Sequence, residues 1–234
     1  LPEGPRVRVL DQMRLTSPSG SDPLAGLFGP GGDSDRARYL ASLYIDDLAD
    51  AVRDGIDPRF ELSRYGEKLA LSATSFDPIR KALEGKPSLV DRLIEEATDA
   101  ALVRSRPDLV AITVPFPGNL YGALRAARRI KAAAPSIPIA MGGGYVNTEL
   151  RGLSERRVFD YVDFIALDSG ETPLLCLVEH LQGKRSFSRL CRTFVRDGGK
   201  VVLVDGAGEG SVAPAETGIP DYEGLPLSRY ISLC

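Results

Sequence analysis

The run Leu109-Val110-Ala111-Ile112-Thr113-Val114 constrains this chain more than any other stretch. It carries no charge and is rich in β-branched side chains, which suits a strand buried on both faces. Such a strand needs helices to cover it, and the sequence supplies them in alternation. Pro115–Gly118 is a turn, and a helix is expected near Leu120–Ala134 until Pro135-Ser136 breaks it. Arg128, Arg129 and Lys131 fall near that helix's C-terminus, where the backbone dipole favours cations. Ile137–Met141 is a second apolar strand, ending in Gly142-Gly143-Gly144, and a short helical segment, Thr148–Ser154, follows. Phe159–Leu167 contains a third strand. After Asp168-Ser169-Gly170 comes a helix over Glu171–Gln182, stopped at Gly183. The pattern β-α-β-α-β-α, with crossovers of parallel-sheet length, predicts an α/β fold. The expected form is a Rossmann-like (flavodoxin-like) parallel sheet flanked by helices.

On either side of this core the signals change. Residues 1–33 are rich in turn formers and read as loop. From Ser34 to Gly55, Leu40, Leu43, Tyr44, Leu48, Ala51 and Val52 recur at helical spacing. Residues 56–87 are irregular, with helix potential around Tyr65–Leu71 and Pro78–Glu84. Ser88-Leu89-Val90-Asp91 reads as a capping box opening a helix to about Arg104, with Leu89, Leu93, Ile94, Ala97 and Ala101 on one face. Beyond the core, residues 193–204 alternate around Asp197-Gly198-Gly199, a hairpin signal, and the tail from Gly206 reads as a linker. Three segments are therefore expected: a mostly helical 1–87, a core over 88–184, and a β-hairpin with linker over 185–234.

Several function classes are excluded on composition. Lys plus Arg number 29 and Asp plus Glu 32, a net charge of −3, which gives no electrostatic case for nucleic acid or an anionic membrane. No apolar run is long enough for a transmembrane helix, and no secretory signal is visible. Cys176, Cys191 and Cys234 form no CxxC pair and no disulfide framework, so a reducing, cytoplasmic setting is expected. His180 is the single histidine, which rules out HExxH and multi-His metal cages within this chain. GxGxxG, GxxxxGK[ST] and GxSxG are all absent. The chain opens on Leu1 without an initiator Met and closes on Cys234, so a fragment of a longer protein is expected.

In open α/β sheets ligands bind outside the carboxyl ends of the strands. Three loops are predicted there: Val114–Asn119, Gly142–Asn147 and Leu167–Thr172. The three glycines serve either a plain tight turn or the close approach of a flat ligand to backbone amides. Glu171 either complements the helix dipole or bonds a ligand. Phe116 and Tyr145 either offer aromatic surface or pack internally. Cys176 is expected in the core, and His180 at the surface, away from this edge.

Taken in order, these stretches resemble a known family. They are Pro107–Ile112, Pro115–Tyr121, Met141–Gly144 with Asn147–Arg151, Asp163–Ile165 and Asp168–Pro173. The match is to the cobalamin-binding domain that precedes the catalytic barrel in cobalamin-dependent radical S-adenosylmethionine enzymes. It covers roughly residues 90–234. The tail Pro220–Pro226 resembles the linker into that barrel, and the helical segment 36–72 resembles an insertion found in one branch. Two features depart from related cobalamin proteins. The Asp-x-His-x-x-Gly loop that supplies a cobalt ligand is absent, and so is the CxxxCxxC that holds a four-iron four-sulfur cluster.

The resemblance implies a non-catalytic module of a methyltransferase or cyclase-like enzyme, with cobalamin as its ligand. The iron–sulfur cluster and S-adenosylmethionine would belong to a barrel in the same polypeptide. It implies contacts to the corrin and its nucleotide tail from Thr113, Pro115, Pro117, Gly118 and Asn119. Further contacts would come from Gly142, Gly143, Gly144, Tyr145 and Asn147, with Asp168, Gly170, Glu171 and Thr172 closing one side. The alternative is a flavodoxin-like module that binds another ligand or a partner protein.

Overall fold

A computed structural model describes residues 32–58, 60, 75–206, 208 and 210–227. The expectations for residues 1–31, Tyr65–Leu71 and Cys234 lie outside the described residues. The chain divides into two units, residues 1–51 with 222–234, and residues 52–221. In the first unit the described part is mainly helix α1, Gly32–Gly55, which continues to the start of the second unit.

The second unit holds helices α2 (Asp77–Glu84) and α3 (Leu89–Ser105), then strand β1 (Val110–Thr113) and helix α4 (Pro117–Ala133). After these come β2 (Ile139–Gly142), α5 (Gly144–Glu149), β3 (Phe164–Ala166), α6 (Glu171–Leu181), β4 (Thr193–Asp197) and β5 (Lys200–Val204). The five strands form one sheet in the order β1-β2-β3-β4-β5. β1, β2 and β3 are parallel, and the hairpin β4–β5 adds to β3 antiparallel, with Ala166 opposite Thr193. The fold is thus α/β with a mixed open sheet flanked by helices. The strand order never reverses, so the described sheet has no internal switch point where a ligand crevice would open.

Alternation along the strands divides the core into two layers. Ile139, Met141, Ile165 and Phe194 pack with Leu120, Tyr121, Leu124 and Ile130 of α4. Ala140 and Val195 pack with Leu177 of α6 and with Leu190. Each fully buried aliphatic side chain contributes about 1.5–3 kcal/mol. β1 departs from the pattern expected of it. Ala111 and Thr113 are exposed, because β1 is an edge strand here with no described helix over that face.

The capping box of α3 forms as expected. Ser88 Oγ accepts from Asp91 N–H at 3.1 Å, and Asp91 Oδ2 accepts from Ser88 N–H at 2.9 Å. Asp91 is buried and also accepts from Tyr121 Oη at 3.0 Å, tying α3 to α4. The apolar face assigned to α3 is left largely uncovered: Leu93 is 53% exposed. Between that face, β1 and α4 lies a groove of about 570 Å³, lined by Ile94, Ala97, Ala101, Val110 and Ile130 among others.

The basic residues of α4 do more than complement its dipole. Buried Arg125 donates to Leu83 O at 2.8 Å, and Arg129 grips Asp99 of α3 with two bonds of 2.7 and 2.8 Å. Lys131 Nζ reaches Asp163 Oδ2 at 2.6 Å. The hairpin turns on Gly198 (φ 53°) and Gly199 (φ 77°), the two positive angles that a right-twisted two-residue loop requires. α5 begins four residues before the expected Thr148, directly on the glycines. Gly143, at φ 107°, lets the chain pass from strand to helix without an intervening loop. No helix among the described residues is long and apolar enough to cross a membrane.

Candidate functional site at the carboxyl edge

The three parallel strands bring the three predicted loops to one edge, and the loops are bonded to each other. Val114 N–H donates to Gly142 O at 2.7 Å, and Tyr145 N–H to Val114 O at 3.0 Å, joining the first loop to the second. Asn147 joins the second to the third. Its Nδ2 donates to Asp168 O at 3.1 Å, while its Oδ1 accepts from Asp168 N–H at 2.5 Å. These two hydrogen bonds hold Asp168 at φ 62°, an angle that Asp tolerates better than most residues. Leu167 N–H then donates to Arg192 O at 3.0 Å, fastening the third loop to the start of β4.

The glycine run has a reason within the chain. A Cβ on Gly143 would meet Val114 O at 2.7 Å, and one on Gly144 would meet Pro115 O at 2.7 Å. Both glycines are therefore required by the close pass of the first loop over the second. Gly170 differs: a Cβ there meets nothing within 4 Å.

The predicted residues separate by exposure. Thr113, Pro115, Asn119, Gly144, Gly170 and Glu171 are exposed, and Phe116 is 69% exposed at the N-cap of α4. Pro117, Gly142, Gly143, Asn147 and Asp168 are half-buried. Gly118, Tyr145 and Thr172 are buried. Tyr145 belongs to the core, and burial pushes its hydroxyl pKa up, with Glu149 adding to the effect. Of the two candidate aromatics, then, Phe116 has its ring on the surface.

Charged groups that sequence reasoning did not place also gather here. Arg151 pairs with Asp168 Oδ1, and Arg192 Nη1 stands 3.7 Å from Asp168 Oδ2. Arg192 Nη1 donates to Ser211 Oγ at 2.8 Å, and Thr172 Oγ1 donates to Gly210 O at 3.1 Å. The stretch after β5, read as linker, is thus tied back onto this edge at its start. No local pattern marks Arg151 or Arg192, because their partner is distant in sequence.

His180 sits near the C-terminus of α6, where its Nδ1 is 2.9 Å from Arg185 O and its ring meets Phe187 edge-on. Cys176 and Cys191 are buried. No group of three or more His, Cys, Asp or Glu among the described residues is arranged to hold a metal ion. Away from this edge, Arg157 bridges Glu155 and Asp77, holding the Glu155 carboxyl down at about 2 and the Asp77 carboxyl below its usual range.

Comparison with protein-family models gives no match to this chain, and comparison with curated proteins gives none either.

Proposed function

We propose that residues 52–221 form a Rossmann-like cobalamin-binding module of a radical S-adenosylmethionine enzyme, with the corrin lying against the carboxyl edge. The observation that supports this most is the mutual locking of the three loops. They form a preorganised rim whose exposed groups, Phe116 apart, are small, polar or backbone, the kind that bonds amide-rich ligands. Thr113, Asn119 and Glu171 would hold corrin amides, and Phe116 would cover an apolar margin. Cobalamin itself supplies the methyl-transfer or radical chemistry, while this chain positions it. His180 lies at the far end of α6, so the described residues offer no imidazole to cobalt at the edge. A corrinoid held here would take no imidazole from the described residues. The iron–sulfur cluster and S-adenosylmethionine belong, on this reading, to a barrel of the same polypeptide. The buried thiols of Cys176 and Cys191 accord with the cytoplasm.

A second reading, a partner-binding module, rests on the apolar groove between α3 and the open edge of β1. The two readings separate in one experiment. After incubation with hydroxocobalamin and desalting, the first predicts a retained corrin band in the visible spectrum. A colourless protein would contradict it and favour the second.

A further inference from the structure

A pocket of about 220 Å³ lies among α2, α4 and the chain that runs from α5 to Val158. Its walls are apolar: Ile79 of α2, Leu120 and Leu124 of α4, and Leu150 and Leu153 after α5. Folded interiors leave few voids much larger than a water molecule, and a space walled by carbon holds water poorly. An apolar cavity of about 150 Å³ already takes a benzene ring, so this one has room for a ring with a substituent. One polar group on the wall is unused. Tyr145 is only 8% exposed, yet its hydroxyl has no hydrogen-bond partner among the described residues, and Glu149 acts on it through charge alone. A buried tyrosine hydroxyl normally has a partner. The other polar groups of the lining are engaged. Glu155 Oε1 accepts from Arg157 N–H at 2.9 Å and from Nε at 2.8 Å, and Oε2 accepts from Nη2 at 2.6 Å. Arg157 also pairs with Asp77, and Ser75 Oγ donates to Asp77 Oδ2 at 3.3 Å. Phe76 is a fixed wall, with the Arg157 guanidinium 5.8 Å from its ring centroid and Tyr161 set edge-on at 6.1 Å.

We propose that this pocket binds a small neutral molecule with one apolar ring and one hydroxyl or ring N–H, held by a hydrogen bond to Tyr145 Oη. The ring supplies the carbon contacts that the walls lack, and its polar group gives the tyrosine hydroxyl a partner. Charge argues for a neutral ligand. An anion would meet Glu155, whose carboxyl Arg157 holds ionised far below neutral pH. A cation would find that carboxylate already gripped by Arg157. The aromatic wall of Phe76 suits a flat ring. Walls held in place by their own contacts lose little freedom when a ligand enters. The inference does not depend on the corrinoid reading, because Tyr145 is the one residue of this pocket among those assigned to the corrin.

The test titrates the whole chain with phenol and, separately, with toluene, which matches phenol in size but lacks the hydroxyl. The methyl signals of Leu120, Leu124 and Leu153 are followed in proton–carbon spectra. Phenol should shift them saturably. Tyr145→Phe should weaken phenol binding several-fold and leave toluene binding unchanged. Benzoate, a ring of similar size with a negative charge, should bind at least tenfold more weakly than phenol. Leu153→Trp, which fills the pocket, should abolish the shifts of Leu120 and Leu124 with phenol. No saturable shift with phenol overturns the proposal, as does benzoate binding as tightly as phenol. Equal phenol affinity in wild type and Tyr145→Phe overturns it too. Should Tyr145→Phe not fold, Leu153→Trp decides: phenol shifts that persist in the filled pocket contradict the proposal.

Discussion

Gly142–Gly144 and Asp168–Thr172 occupy the same edge of the same sheet, and both contain glycine, yet they are built for opposite purposes. The first is backbone packed on backbone: Gly143 and Gly144 have no room for a side chain because Val114 and Pro115 pass directly over them. The second is held by side chains reaching in from elsewhere, by Asn147, Arg151 and Arg192, and its own Gly170 faces open space. Glycine at a strand end is therefore not in itself a ligand cradle. The glycine loop is a structural weld, whereas the third loop keeps open space at Gly170.

Three substitutions would break or sharpen this contrast. Gly143→Ala should have the largest effect, a loss of roughly 2–4 kcal/mol in denaturant unfolding, since a Cβ there is both at φ 107° and 2.7 Å from Val114 O. A near-neutral result would mean the loops are not welded. Asn147→Ala comes next. It strips the bonds from both backbone groups of half-buried Asp168, and a loss of about 1–2 kcal/mol is expected from the same measurement. It should also loosen the third loop, seen as faster amide exchange at Asp168 and Ser169. Gly170→Leu should change stability least, by within about 0.5 kcal/mol, because φ is −66° and an added Cβ meets nothing within 4 Å.

Much of the frame was legible because its signals are local. The capping box Ser88–Asp91, the Asp197-Gly198-Gly199 hairpin turn and the apolar runs of β1 and β2 each declare themselves within a few residues. The carboxyl edge could likewise be located, since alternation of strands and helices dictates which loops share an edge. What those loops do was not legible. A glycine triplet reads the same whether a ligand or Val114 lies over it. The lock between Asn147 and Asp168 spans 21 residues, and the Arg151–Asp168 pair 17, so neither has a periodicity to betray it. Arg192 lay in a stretch read only as the approach to a hairpin. It reaches the edge because β4 adds antiparallel to β3, a choice of pairing that strand composition does not encode. The exposed apolar face of α3 was missed in the other direction: helical spacing tells which residues share a face, not whether anything covers them.

The central claim is that the third loop borders a corrinoid site while the glycine run only shapes the edge. Gly170→Leu measures this most directly, because it adds bulk to the rim at no expected cost to folding. Wild type and variant should be incubated with hydroxocobalamin, desalted and compared by visible spectrum and circular dichroism. The account predicts a retained corrin band in the wild type and its loss in an equally folded Gly170→Leu. Equal retention by both proteins, or none by either, would contradict it.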